Sequence, residues 1–266
     1  MSNTIKLYTT IIAKGVQQFA TYRANIFAGI VSALFALGAR YALWVALFAT
    51  GNARDVSLAE TMTFFVVGDI VMVWVVTSFG STIGADIRSG DIAQKMLRPR
   101  SYHFQLLSAR HSAAVIETLT NAVPIFIVAA VFIGILPPVS AEAFLMFLVA
   151  VFLGGVVYLL IDLIISYTVF WLTDYWYIRW YSRAIFTLFG GTVLPLWFYP
   201  DWLRAVAELL PFRFALFVPM EIYLGRLSGA DIPVTFAMQI FWIAVLFGLE
   251  RFVWSRAQYK LVVQGG

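Results

Sequence analysis

Six apolar stretches, each about as long as a bilayer is thick, constrain this chain more than any other feature. A helix needs roughly 20 apolar residues to cross a hydrocarbon core of about 30 Å. The stretches lie at about 24–49, 60–82, 113–136, 142–172, 184–200 and 233–254. Because 62% of the residues are hydrophobic and only 12% are charged, no extended soluble domain remains. The sequence predicts an all-α polytopic membrane protein with six transmembrane helices in a single domain, residues 1–266.

Basic residues between the spans predict the orientation, since cytoplasmic loops carry the excess of Lys and Arg. With the N-terminus inside, thirteen of the 18 basic residues fall on the cytoplasmic side and four on the outer side. A seventh span would place the basic C-terminal tail outside. We therefore expect both termini in the cytoplasm, together with the connection between the second and third spans.

Two further segments predict helices that do not span the membrane. Residues 2–22 alternate apolar and polar side chains at helical spacing, which favours an amphipathic interfacial helix over an extension of the first span. Residues 201–226 are apolar but are interrupted by Arg204, Glu208, Arg213 and Glu221 and contain Pro211 and Pro219. We expect short, broken helices there, lying at the outer surface or re-entering the membrane where protein covers them.

Aromatic residues cluster at both predicted ends of the fifth span, and we interpret them as interfacial anchors. The inner group is Trp176, Tyr177, Trp180 and Tyr181, and the outer group is Trp197, Phe198, Tyr199 and Trp202.

The densest charge lies in GADIRSGDIAQKMLRPRSYHF, residues 84–104. Asp91 is a candidate cap for a short helix, IAQKML, which Pro99 would end. A helix of under two turns is unstable alone in water and needs a surface to lie against. The residues themselves leave two interpretations open, an ordinary basic cytoplasmic loop or a docking element for a cytoplasmic partner.

The segment SGDIAQKMLRPRSYHFQLL, which follows two spans and leads into a third, resembles the cytoplasmic connection of the ABC-type-2 exporter permeases. TYRANIF, GGTVLPLWFYPDWLRAVAELLPF, IYLG and KLVVQGG occur in the order typical of the same family. The chain is similar to the bacterial branch in which two related but distinct permease chains work as a pair. The resemblance covers nearly the whole chain.

The resemblance implies a permease subunit of the bacterial inner membrane, driven by a cytoplasmic ATPase that is present in two copies. ATP and Mg²⁺ would be held by that ATPase, and a second permease chain is favoured over a second copy of this one. A coupling helix is implied at about 86–100. The residues implied to touch the ATPase are Asp91, Ile92, Lys95, Met96, Arg98, Pro99 and Arg100.

The chain itself has no GxxxxGK[ST] loop for phosphates, so we expect no enzymatic activity of its own. It has no cysteine and two histidines, which leaves little for a metal site. The alternatives are an ion-coupled secondary transporter, for which we see no internal repeat, and a membrane-embedded lipid-processing enzyme, for which no convergent catalytic groups are found. The sequence identifies no cargo.

Arg40, Asp69 and Asp162 are the ionisable residues predicted at depth in the membrane, where charge is costly and points to function. Arg40 and Asp69 each lie nine residues from the outer end of a span, about 13 Å below the surface at 1.5 Å per residue. We expect them to form an ion pair, and we favour a structural clamp over a transport role. For Asp162 the sequence leaves open a polar cavity or a hydrogen bond to a neighbouring span.

Overall fold

The computed structural model of the chain describes residues 23–51, 55–98, 101–172, 176–227 and 229–265. The predicted amphipathic helix at 2–22 lies outside these residues. Within them the chain is helical and forms no strand, as predicted for an all-α membrane protein. The helices form two compact units. Among the described residues, the first contains those within 23–73 and 107–135, and the second contains those within 74–106 and 136–265.

The helices are, in chain order, α1 (Arg23–Ala49), α2 (Leu58–Val75), α3 (Phe79–Ser89), α4 (Asp91–Met96), α5 (Tyr102–Glu117), α6 (Val123–Phe132), α7 (Ala141–Ser166), α8 (Trp176–Phe189), α9 (Asp201–Leu209), α10 (Phe217–Tyr223) and α11 (Asp231–Gly265). A π-helical turn, Thr118–Ala122, joins α5 to α6. Short 3₁₀ segments cover Tyr167–Phe170, Leu196–Phe198 and Pro211–Ala215.

Five helical stretches among the described residues are long and apolar enough to cross a membrane. They are Phe27–Ala49, Leu58–Ser89, Tyr102–Phe132, Ala141–Phe170 and Asp231–Lys260. They overlap the predicted first, second, third, fourth and sixth spans, although the third begins at Tyr102 rather than at about 113. The chain is therefore a multi-pass membrane protein.

The predicted fifth span, 184–200, is not a single helix in the structure. The helix α8 ends at Phe189, because Gly191 follows with a φ of 72° and the chain turns. A short 3₁₀ turn, Leu196–Phe198, comes next. The count of six spans stays a prediction.

The first unit joins α1 to the π-helical turn and to α6, and side chains link α1 to α2. The start of α2 is stabilised by a capping box, in which the side chains of Ser57 and Glu60 each bond the other residue's backbone amide. This arrangement satisfies two amides that a helix end leaves without partners.

The second unit is built around α7, which packs against α11, α10 and the 3₁₀ segment Pro211–Ala215. A Cβ added at Gly154 would lie 2.0 Å from the carbonyl oxygen of Phe214. Only glycine therefore permits this approach of helix to backbone. Small residues are what permit such close approaches between membrane helices and their neighbours.

The predicted short helices at 201–226 are confirmed as α9, the 3₁₀ segment and α10. Pro211 begins the 3₁₀ segment, as expected of a residue that breaks a helix. Pro219 does not break α10, since it lies in the first turn, where a helix needs no backbone donor. Their depth in the membrane stays a prediction.

The outer aromatic group is only partly exposed, in contrast to the prediction. Trp202 is exposed, but Trp197 and Tyr199 are buried. The indole of Trp197 donates to the Glu221 carboxylate, at 3.2 Å, and the Tyr199 hydroxyl donates to the Leu188 carbonyl. These two residues are therefore part of the core rather than of an interfacial belt. The polar group of each ring has a hydrogen-bond partner there, as buried Trp and Tyr usually require.

Candidate functional site

The short helix α4 lies in the connection between the second and third candidate spans. Gly90 alone separates it from α3, and its φ of 78° is in the left-handed region that favours glycine. The chain thus reverses sharply after α3. Asp91 was predicted to cap α4, but it is the first residue of the helix, and Gly90 holds the cap position without a side-chain bond. The Asp91 carboxylate instead accepts a hydrogen bond from Ser89, at 2.9 Å.

A buried carboxylate, Asp86, fastens α4 to the helices on either side of it. One of its oxygens lies 2.6 Å from the Lys95 ammonium on α4. The other accepts a 2.7 Å hydrogen bond from the Tyr102 hydroxyl at the start of α5. The side-chain amide of Gln105 donates to the Lys95 carbonyl, at 2.9 Å. A charge that is both paired and hydrogen-bonded is tolerated in a buried position, and removing one partner is costly.

The apolar anchor of α4 is Ile92, which is 2% exposed. The opposite side of the segment is open, because Leu97 is 87% exposed and Asp91, Gln94 and Arg98 are also exposed. An exposed leucine among charged residues on a fixed segment can serve as an anchor for another protein. The surface formed by Asp91, Gln94, Leu97 and Arg98 is called the α4 surface below.

The residues predicted to touch a partner therefore divide into two groups. Ile92 and Lys95 face into the chain and hold α4 in place, and Met96 is half-buried. Asp91 and Arg98 are on the open side, where the Arg98 guanidinium donates to the side-chain amide oxygen of Gln105, at 3.3 Å. Pro99 and Arg100 lie outside the described residues.

A second polar cluster is formed by His103, Tyr167 and Glu250. It is adjacent in sequence to the cluster around Asp86, because His103 follows Tyr102. The Tyr167 hydroxyl donates to Glu250 on α11, at 2.8 Å, and it also bonds the His103 ring through Nε2. Since the hydroxyl has one proton to give, Nε2 is the donor in the second bond. Trp254 packs edge-on to the His103 ring, with centroids 4.7 Å apart. The cluster connects the start of α5 to α11 and to the 3₁₀ turn after α7.

Asp162 lies on α7 and stabilises a break in the predicted second span. The chain leaves helical geometry at residues 76–78, between α2 and α3. The Asp162 carboxylate accepts from the Thr77 hydroxyl, at 2.9 Å, and from the Phe79 amide, at 3.1 Å. Of the two alternatives for Asp162, the structure shows the hydrogen bond to a neighbouring span. Backbone groups freed inside a membrane need such partners.

The predicted pair between Arg40 and Asp69 is confirmed, with 3.0 Å between a guanidinium nitrogen and a carboxylate oxygen. The Arg40 guanidinium also lies 4.8 Å from the centre of the Phe65 ring, a cation–π distance. Both contacts connect α1 to α2 within the first unit. The role of the pair as a clamp stays a prediction.

The sequence did not single out Asp86, Tyr102 or Leu97. Asp86 lies nine residues before Lys95 and sixteen before Tyr102, and neither spacing is a recognisable motif. The three side chains meet only because the backbone reverses at Gly90. Leu97 had a signal, since it is a large apolar residue between Lys95 and Arg98 in the most charged part of the chain. Among the described residues no group of three or more acidic, histidine or cysteine side chains could hold a metal ion.

A family model described as "ABC-2 family transporter protein" matches residues 34–265, most of the chain. The match begins within α1 and ends with α11, so it includes α4 and both polar clusters. Comparison with curated proteins and with solved structures gives no match.

Proposed function

Because this chain belongs to the ABC-2 family of transporter proteins, we propose that it is a permease subunit of an exporter driven by a separate ATPase. Membrane proteins of this family generally work with an ATPase subunit. In this proposal α4 is the coupling helix on which the ATPase docks, and ATP and Mg²⁺ are bound by the ATPase. A second, related permease chain completes the path, in a bacterial inner membrane.

The observation that carries the proposal is that one side of α4 is anchored to the rest of the chain while the opposite side is exposed. A six-residue helix has too few internal hydrogen bonds to hold its own shape. Here Ile92, Lys95 and Gln105 hold it from below, while the α4 surface stays accessible. An ordinary loop between spans needs no such anchoring.

The adjacent residues Tyr102 and His103 support a route by which movement of α4 would reach the spans. Tyr102 bonds Asp86 on the α4 side, and His103 bonds Tyr167, which in turn bonds Glu250 on α11. A displacement of α4 by nucleotide-driven closure would therefore pull on the start of α5, on the end of α7 and on α11. Coupling of this kind needs an element that is biased between two states by the nucleotide.

The first test is purification of the chain from its native membrane in several mild detergents, with the retained proteins identified by mass spectrometry. We expect an ATPase with a phosphate-binding GxxxxGK[ST] loop and a second polytopic chain. Recovery of this chain alone in every detergent would contradict the proposal.

The second test is Leu97→Asp, with Leu209→Asp as the matched control. Both leucines are largely exposed, but Leu209 lies on α9, between the last two candidate spans. Burying a leucine at an interface contributes about 1.5–3 kcal/mol, so Leu97→Asp should weaken ATPase binding at least about tenfold. The control should retain wild-type binding and coupled transport. Unchanged ATPase binding by Leu97→Asp would exclude the α4 surface as the docking site.

A further inference from the structure

An open groove of about 540 Å³ runs along α8 in the second unit. One wall is the face of α8 from Trp180 to Leu188, and the other includes Val193, Leu194 and Tyr199. The two ends of the α8 wall are eight residues apart, which corresponds to about 12 Å along a helix. The groove is thus a mostly apolar, open feature of this unit.

The groove is a built feature of the fold rather than a gap between mobile side chains. The opposite face of α8 is fixed in the core, where Phe186 lies 4.3 Å from the Tyr158 ring and 4.9 Å from the Phe212 ring. The far wall is held against α8 by the bond from the Tyr199 hydroxyl to the Leu188 carbonyl. These contacts fix the position of both walls.

Positive charge stands at the N-terminal end of the groove. Arg183 is the one charged residue among the described residues that line it, and Arg179 precedes it by one turn, exposed to solvent. No described carboxylate lies within ion-pair distance of Arg183. Trp180 and Tyr181 are exposed at the same end, which is the composition found at a membrane interface.

We propose that this groove binds one anionic phospholipid of the surrounding bilayer, with an acyl chain along α8 and the phosphate at Arg183. A guanidinium matches a phosphate with two parallel hydrogen bonds. The groove is open on one side and mostly apolar, so contact of an extended hydrocarbon chain with its walls is favourable. This inference does not depend on the ATPase assignment.

The test uses the full chain, with any bound partners, in vesicles that contain photoactivatable phosphatidylglycerol or photoactivatable phosphatidylcholine in otherwise identical mixtures. After irradiation, peptides covering residues 176–203 are quantified for attached lipid. We expect about five-fold more labelling by the anionic lipid, the ratio that corresponds to about 1 kcal/mol for one basic side chain at an anionic membrane surface. Equal labelling by the two lipids would overturn the proposal.

Arg183→Gln should remove most of the preference for the anionic lipid, and Arg183→Lys should retain part of it. Arg256→Gln is the matched control, since Arg256 is also an exposed helical arginine but lies on α11, away from the groove. If Arg183→Gln fails to fold, the comparison of the two lipids in the wild-type chain still decides. Preference unchanged in Arg183→Gln, or cross-links from this groove to another protein chain instead of lipid, would show that the proposal is wrong.

Discussion

Each of the buried carboxylates among the described residues accepts a hydrogen bond from an uncharged donor on another segment. The pairs are Asp86 with Tyr102, Asp162 with Thr77, Glu221 with Trp197 and Glu250 with Tyr167. A buried charge without such partners is strongly unfavourable. At the scale of single residues, the placement of a donor opposite each buried acid therefore contributes to specifying the fold, together with apolar packing.

Glu221 provides a prediction about pH, because it lies outside the candidate spans. Burial raises the pKa of its carboxyl above the usual 4.5, although Trp197 and Arg213 act in the opposite direction. Its contribution to stability is thus complete below pH 4.5 and is lost as the pH rises through the folded-state value. Each unit of such a shift corresponds to about 1.4 kcal/mol.

Glu221→Gln keeps an acceptor for Trp197 but cannot ionise. Its thermal unfolding midpoint should match that of the wild type near pH 4.5 and should exceed it by a margin that grows until the pH passes the folded-state pKa of Glu221. Glu142→Gln removes an exposed carboxylate and serves as the control, with no such growing margin. A midpoint for Glu221→Gln that falls further below the wild type as the pH rises would mean that attraction to Arg213 outweighs burial.

At the scale of helices, the apolar stretches were predicted well because a bilayer permits few alternatives for them. The break at residues 76–78 could not be predicted, since the apolar pattern continues through it and its partner, Asp162, is more than 80 residues away. The ion pair of Arg40 and Asp69 was predicted because equal depth in two adjacent spans brings the two side chains together. The Asp86 cluster was missed because it depends on the backbone reversal at Gly90.

Gly90 provides the prediction at this scale. A Cβ at this position meets no atom within 4 Å, so Gly90→Ala tests backbone conformation alone. A left-handed φ costs an L-residue about 1–2 kcal/mol. Amides of α4 should therefore exchange with deuterium about 5–30 times faster in the variant.

Gly248→Ala is the matched control, because Gly248 is helical and also has open space around it. There alanine should stabilise the helix by about 0.5–1 kcal/mol and leave exchange in α4 unchanged. Exchange in α4 that is equally slow in both variants would show that the reversal at Gly90 is not under conformational constraint.

At the scale of the whole molecule, the number of crossings can be measured directly because the chain has no cysteine. Single cysteines at the exposed positions Leu97, Val139, Leu209 and Tyr259 would be labelled in intact cells with a membrane-impermeant thiol reagent. With the N-terminus inside, Val139→Cys should be labelled and Leu97→Cys should be protected, whether the chain crosses five or six times.

Leu209→Cys and Tyr259→Cys distinguish the two counts. Six crossings place position 209 outside and position 259 inside, and we expect that result. Labelling at 259 with protection at 209 would instead mean that α8 and the residues after it return without crossing. Labelling of both in permeabilised cells shows that neither site is simply unreactive.

The close contact at Gly154 means that the number of independently moving segments is smaller than the number of helices. Because the Phe214 carbonyl occupies the space that a side chain would take on α7, sliding of α7 past Pro211–Ala215 would drive backbone into backbone. We therefore expect α7 and Pro211–Ala215 to move as one rigid body. A transport cycle in this chain would therefore involve fewer independently moving segments than it has spans, and labels placed on α7 and on Pro211–Ala215 should report the same displacement.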